Sequence, residues 1–265
     1  MLAAIRAVLV RELIKMFRQK SRLLSAMVRP LIWLFVIGGG IGSLIDSATP
    51  GQYQRDIVPG IIGMTILFGS MLSSLSTVYD KESGIMRMMI VAPIPTYWIV
   101  ACKMLASTVA GSVQAALVCV LLLLLGFLSP AIMLNPSFLL AVGLTALACA
   151  ALGMVTSALS DSLDNFASIM NFVIFPVFFL SGALYPVRDL PAPLLLVSRL
   201  NPFSYGVDLM KRAVDSGGMA SDFGVALSVG VLVGFSLLAL VFSSWRLHQE
   251  ARQARLFNLA GGRSR

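Results

Sequence analysis

The chain has 265 residues, of which 58% are hydrophobic and 12% are charged, and its mean hydropathy is +0.89. This composition excludes an ordinary soluble domain and indicates a polytopic membrane protein. The formal charge of +8 does not indicate nucleic-acid binding, because the cations concentrate in the two tails beside apolar segments, where anionic lipid explains them. The sequence contains no nucleic-acid recognition motif.

Residues 1–27 are predicted to form a basic amphipathic helix in the membrane interface. Apolar side chains such as Leu2 and Leu9 fall on one side, and cations such as Arg11 and Lys15 fall on the other. The first long apolar run begins only at Val28. This position does not fit a secretory signal peptide, so we expect the segment to be retained.

Six apolar segments approach the length of about 20 residues that a bilayer crossing needs. The spans are predicted at residues 28–45, 57–78, 104–127, 138–159, 166–185 and 223–245. With six crossings both tails lie on one side, and their Lys/Arg excess predicts that this side is the cytoplasm. Because no linker or repeat divides the chain, residues 1–265 are predicted to form one all-α transmembrane domain.

Small residues in the first two spans have two interpretations each. Gly38 and Gly42 have GxxxG spacing, which allows a second helix to approach closely, but the glycine run around them equally loosens a helix end. Gly69, Ser73 and Ser76 form a stripe on the second span. That stripe either packs on a helix or faces a pathway.

The fifth span is unusual because it contains Asn171 and a central Pro176. A proline there is expected to kink the helix and free a carbonyl, which neighbours or water must satisfy. Aromatic side chains surround it at Phe172, Phe175, Phe178 and Phe179.

Residues 79–103 form a charged, proline-broken segment between the second and third spans. Residues 82–84 are predicted to open a short helix with Ile85, Met88 and Met89 on one apolar face, and Pro93 and Pro95 to stop it. So short a helix needs a partner surface or the bilayer interface for stability. An ordinary surface loop is the alternative.

Residues 186–222 break the pattern of spans. The stretches Leu194–Leu200 and Tyr205–Val214 are apolar but too short to cross a bilayer. We therefore predict two re-entrant or interfacial half-helices, divided at Asn201 and Pro202.

The sequence contains no visible energy source. No Asp, Glu, Lys, Arg or His lies in the interior of a predicted span, which counts against ion-coupled transport. The phosphate-binding motif GxxxxGK[ST] is absent, and the intramembrane serines have no base beside them, so an enzyme is not predicted. The three cysteines, Cys102, Cys119 and Cys149, have no CxxC spacing and are predicted to be buried apolar residues, not metal ligands. Uphill transport would need another polypeptide, and a scaffold or membrane anchor is the alternative.

Two patterns resemble the type-two ATP-binding-cassette (ABC) permeases. The first resembles the cytoplasmic loop of this family and comprises Tyr79, Glu82, Gly84, Pro93 and Lys103. The second resembles the pattern after the family's fifth span and comprises Ser181-Gly182, Pro186, Leu190-Pro191, the run from Asn201 to Tyr205, Asp208 and Arg212. The likeness covers nearly the whole chain and is greatest to short bacterial exporters of drugs, lipo-oligosaccharides or polysaccharides. One departure is Ile85, where the family often has threonine.

The resemblance implies a permease subunit in the bacterial cytoplasmic membrane. Its expected partners are a second permease copy and two separate ATPase subunits, which bind ATP and Mg, so that no cofactor is expected on this chain. The implied ATPase-coupling residues are Tyr79, Glu82, Gly84, Arg87, Pro93 and Pro95. The implied substrate path comprises Ser73, Ser76, Asn171, Phe175, Pro176 and Phe179. The implied outer gate comprises Gly182, Pro186, Asn201, Pro202 and Tyr205.

Overall fold

The computed structural model describes residues 6–7, 9–12, 14, 28, 30–40, 53, 56–91, 95–214 and 222–261, with backbone only at 87, 90–91 and 250–261. Every regular element within these residues is helical. Among the described residues, four helices are long and apolar enough to cross a membrane. The chain is thus an all-helical, multi-pass membrane protein, as its composition predicts.

From residue 58 onward, nine α-helices follow one another in the described part of the chain. They are α1 (Val58–Glu82), α2 (Ile85–Val91), α3 (Thr96–Leu124), α4 (Pro130–Met133), α5 (Pro136–Leu159), α6 (Leu163–Phe179), α7 (Ala192–Leu200), α8 (Pro202–Val214) and α9 (Val225–Gly261), with a π-helical turn at Leu34–Gly38 and a 3-10 turn at Val187–Asp189. The four candidate membrane-spanning helices are α1, α3, α5 and the Val225–Gln249 part of α9. The short helices α7 and α8 lie where the sequence predicts two half-helices.

Helix α6 differs from the fifth predicted span, residues 166–185. It has 17 residues and is therefore about 25 Å long, shorter than the four candidate spans. The Ser162 side chain caps its start by accepting a hydrogen bond from the Asn165 amide at 3.1 Å. Its end follows Pro176 closely, and Leu180 already has turn geometry. Since the first predicted span, residues 28–45, lies only partly within the described residues, the count of six crossings remains a prediction.

Helix α1 is the centre of the bundle and packs against α3, α5, α6 and α8. All its residues from Val58 to Met71 are buried. Gly69 lies against the Gln114 side chain of α3, and Gly153 of α5 lies against Ser74. The first member of the predicted stripe therefore packs on a helix. Small residues allow this close approach of helices.

The two ends of the bundle are named here after buried lysines. Helix α1 begins at the Lys211 end, near α8, and finishes at the Lys103 end, near the start of α3. Helix α6 runs the opposite way, from the Lys103 end to the Lys211 end. The three cysteines are free and buried, as predicted.

The segment 79–103 is more helical than predicted. Helix α1 continues to Glu82 and α3 already begins at Thr96, so only a short connection contains α2. Gly84 has φ +74°, a left-handed conformation that typically ends a helix. Residues 82–84 therefore close α1, and the prediction that they open the short helix is wrong.

The apolar face predicted for α2 is wrong in part, because Met89 does pack against a buried apolar cluster but Met88 does not. Met88 is 69% exposed, whereas Met86 is 4% exposed and belongs to a small apolar cluster with Val100 and Met104 of α3. The reason is tertiary, because contact with α3 decides which side of so short a helix is covered.

Candidate functional site

Four charged side chains meet at the Lys103 end, and we call them the charged cluster: Arg11, Glu12, Asp80 and Lys103. The Lys103 ammonium lies 2.5 Å from Asp80 Oδ2 and 3.2 Å from Glu12 Oε1. The Arg11 guanidinium donates to both Asp80 carboxylate oxygens, at 2.9 and 2.8 Å. Each charge of the cluster thus faces an opposite charge.

Three members of the charged cluster are nearly inaccessible. The exposed side-chain fraction is 0% for Asp80, 1% for Lys103 and 4% for Glu12, against 40% for Arg11. Two cations and two anions sum to zero charge. Buried charges persist only when they are paired and hydrogen-bonded, and loss of one partner typically costs about 3–5 kcal/mol.

The charged cluster corrects two predictions. Asp80 and Lys103 lie inside α1 and α3, which extend beyond the predicted spans 57–78 and 104–127, so these long helices do contain ionisable groups. Arg11, predicted on the basic side of an interfacial amphipathic helix, pairs with Asp80. Glu12 was missed, although it is the single acidic residue among residues 1–27, and this isolation was a signal that it needs a cation.

The charged cluster joins four segments of the chain. Besides α1 and α3 it includes the segment around Arg11, whose guanidinium also lies 3.7 Å from the Met89 sulfur of α2. The Ser76 hydroxyl of α1 donates to Glu12 Oε2 at 3.0 Å. Helix α2 is therefore connected, through Arg11, to the charged cluster that joins the start of the chain to both long helices.

The last two residues of α1 bind the turn between α5 and α6, and we call these contacts the turn clamp. The Lys81 ammonium donates to the Ser160 carbonyl at 2.8 Å, and Glu82 Oε1 accepts from the Leu163 amide at 2.9 Å. A cation thus lies at the carboxyl end of α5 and an anion at the amino end of α6. Both signs suit the helix dipoles.

The predicted coupling residues occupy different positions at the Lys103 end. Tyr79 is exposed, Glu82 belongs to the turn clamp, and Gly84 forms the break before α2. Pro95 is exposed and precedes the first residue of α3. The Arg87 side chain and Pro93 lie outside the described residues.

The predicted path residues lie on two helices that pack together, α1 and α6. Ser73 and Ser76 are half-buried on the Lys103-end half of α1. The remaining members lie on the exposed side of α6 and are Asn171, Phe175, Pro176 and Phe179. The Phe175 and Phe179 rings stack with centroids 6.4 Å apart, which gives α6 an open aromatic face.

The predicted gate residues gather at the Lys211 end. Gly182 has φ +77°, and its carbonyl accepts from the Lys211 ammonium at 2.5 Å. Asn201 Nδ2 donates to the Val177 carbonyl at 2.7 Å. Pro186 precedes the 3-10 turn, and Pro202 is the first residue of α8. The Tyr205 hydroxyl donates to the Arg199 carbonyl at 2.8 Å.

A second polar group at the Lys211 end joins α8 to the chain around Asp222. Asp208 accepts from the Arg212 guanidinium at 3.2 Å and from the Asp222 amide at 2.7 Å. Asp222 Oδ2 accepts from the Val187 amide at 3.1 Å, and the Arg212 guanidinium also donates to the Phe223 carbonyl. The sequence pattern contained Asp208 and Arg212, but not the role of Asp222.

Comparison with known proteins yields a family and relatives. The family model described as "ABC-2 type transporter" matches residues 3–213. The chain is 28% identical over 193 residues to "Nodulation protein J" of Rhizobium leguminosarum bv. trifolii, which covers 72% of this chain and 73% of that protein. It is 28% identical over 211 residues to "Putative transport permease ycf38" of Pyropia yezoensis, which covers 77% of this chain and 71% of that protein.

Proposed function

Because the chain belongs to the ABC-2 type transporter family, we propose that it is the membrane permease subunit of an ATP-driven exporter. Two copies form the translocation path, and separate ATPase subunits drive them by contact with residues 79–103. The chain itself is not an enzyme in this proposal, since residues 1–265 lack the motif that binds nucleotide phosphates. ATP and Mg are bound by the partner ATPase.

The observation that carries the proposal is the position of α2. This seven-residue helix lies between two long helices and presents an exposed Met88. Met89 on the same helix contacts Arg11 of the charged cluster. An ATPase subunit that pushes on α2 would therefore act on α1 and α3 through buried ion pairs.

The Lys103 end faces the cytoplasm in this proposal, and the protein lies in a bacterial cytoplasmic membrane with both termini inside. The Lys/Arg excess of residues 1–27 and 246–265 supports this orientation. Six crossings then include residues 28–45 and α6. The helices α7 and α8 form a re-entrant hairpin within residues 186–222, which serves as the outer gate.

The open face of α6 supports a path lined by two permease copies. Asn171 and Phe175 are exposed there, and α6 packs beside the half-exposed Ser73 of α1. Aromatic rings with few polar groups suit a cargo that has an apolar or lipid-like part.

The rival proposal is a membrane scaffold or anchor that does not transport. Co-purification separates the two proposals. We expect an ATPase subunit with the phosphate-binding motif to co-purify with the chain and its ATP hydrolysis to rise when cargo is added. A chain that never retains such a subunit would contradict the exporter and favour the scaffold.

Gly84 provides matched variants for the same assay. Asn tolerates the left-handed conformation, whereas the β-branched Val does not. We expect Gly84→Asn to keep cargo-stimulated ATP hydrolysis and Gly84→Val to lose most of it, although both retain the ATPase. Equal stimulation of ATP hydrolysis by cargo in the two variants would contradict a role for α2 in coupling.

Photolabelling tests the path on α6. A photoreactive residue in place of Phe175 is expected to label cargo, and unlabelled cargo should compete for it. The control is Leu238 of α9, which is also exposed but far along the chain from the predicted path. Labelling at Phe175 that responds to cargo no more than labelling at Leu238 would contradict this path.

A further inference from the structure

Helix α6 is held at both ends by polar side chains from other helices. At the Lys103 end, Glu82 of α1 accepts from the Leu163 amide at 2.9 Å, and Lys81 holds the preceding turn through the Ser160 carbonyl. The first amides of a helix have no partner inside that helix. Glu82 therefore supplies an acceptor that α6 lacks, and it couples the last turn of α1 to the first turn of α6.

At the Lys211 end three backbone carbonyls at and after the end of α6 are satisfied from α8 and the residue before it. Asn201 Nδ2 donates to the Val177 carbonyl at 2.7 Å, the Ser204 hydroxyl donates to the Leu180 carbonyl at 3.4 Å, and Lys211 donates to the Gly182 carbonyl at 2.5 Å. Such carbonyls are the ones that a helix end leaves open. Helix α8 thus takes the place of a further turn of α6.

Side packing holds α6 along one side only. Its buried residues are Phe166, Met170, Ile174 and Phe178, which follow one another at four-residue spacing on a single side. The opposite side, with Asn171, Phe172 and Phe175, is exposed. This 17-residue helix therefore joins polar contacts at its two ends, and it moves together with the core residues on its buried side.

We propose that α6 is the mechanical link between the ATPase-facing end and the outer gate, with Glu82 and Lys211 as positioning residues. This inference rests on the proposed exporter function. A displacement of the last turn of α1 pulls on α6 through Glu82, and α6 carries the displacement about 25 Å to α8 through Lys211. The displacement of α8 then opens the gate.

The test measures cysteine labelling at the gate in the complex of the full permease with its ATPase, reconstituted in liposomes. Val187 is buried beside Gly182, so Val187→Cys reports opening to a membrane-impermeant maleimide. The three natural cysteines are buried and give little background. If the open state is a minor one before ATP, we expect ATP with vanadate to raise the labelling rate about tenfold.

Glu82→Ala should abolish this rise. Because Glu82 also lies in the proposed ATPase-contact segment 79–103, ATPase binding and basal ATP hydrolysis are measured on the same variant. The core is expected to survive, because Glu82 is exposed. Asp164→Ala, which removes another exposed carboxylate in the first turn of α6, should keep the rise. Glu82→Gln retains an acceptor oxygen for the Leu163 amide. This variant should therefore show the rise in labelling that Glu82→Ala loses.

Lys211→Met tests the Lys211 end independently, because it removes the donor to the Gly182 carbonyl. It should raise the labelling rate before ATP is added, and ATP should then raise that rate little further. Its control is Arg199→Met, an exposed cation on α7. The link is overturned if Glu82→Ala responds to ATP like Asp164→Ala, or if Lys211→Met behaves like Arg199→Met. A parent complex that binds no ATPase or shows no ATP response would instead overturn the proposed function, and the link with it.

Discussion

Asp80→Asn is expected to destabilise the purified protein by about 3 kcal/mol, near the lower end of the range for breaking a buried ion pair. The substitution leaves Arg11, Glu12 and Lys103 with a net charge of +1. Lys103, which is 1% exposed, then keeps the Glu12 carboxylate at 3.2 Å but loses the closer Asp80 carboxylate at 2.5 Å. Thermal unfolding in detergent measures the effect as a fall in the melting temperature.

The matched control is the double variant Asp80→Asn with Lys103→Met. It returns the cluster to zero charge, because Arg11 and Glu12 are then the charged members that remain. These two groups lie 3.4 Å apart. Removing both charges of a buried pair avoids the uncompensated buried charge that loss of one partner leaves. We therefore expect the double variant to recover more than half of the loss, and a double variant as unstable as the single one would show that charge balance is not the cause.

Gly60→Ala is expected to destabilise the protein by about 1–3 kcal/mol, as overpacking does. A Cβ atom on Gly60 would lie 2.1 Å from the Ala183 carbonyl oxygen and 2.8 Å from its carbon. Both are backbone atoms, so α1 and the chain after α6 must separate. The melting temperature again measures the change.

Gly143→Ala is the control for that substitution. Gly143 also lies inside a long helix, α5, but a Cβ atom there meets nothing within 4 Å. We expect no loss at this position, since alanine favours the helix more than glycine does. Equal losses at the two positions would mean that helix propensity, not the contact with Ala183, decides the result.

Local patterns predicted the helices well. Long apolar runs, Pro136 after Asn135, and the division at Asn201 are written in neighbouring residues, and the structure has helices where these patterns predict them. The shorter α6 is the exception. It begins at the Ser162 cap and ends at the turn after Pro176. The length of the apolar run does not show where either end lies.

The charged cluster was not predictable in the same way. Arg11 and Asp80 are 69 residues apart, and Glu12 and Lys103 are 91 residues apart. No periodicity connects such positions, although the isolated acid at Glu12 and the opposite charges of Asp80 and Lys103 at span ends were a partial signal. The same distance explains why the turn clamp and the capping of α6 by α8 were missed.

The sequence by itself determined that this protein is a helical membrane protein without a phosphate-binding motif, because hydropathy and short motifs are properties of contiguous residues. Only the tertiary structure decided which charges are paired, which side of α2 is covered and what binds the two ends of α6. The physical reason is that a buried charge or an open helix end is satisfied by whichever group packing brings near it. In a bundle, that group comes from a distant part of the chain.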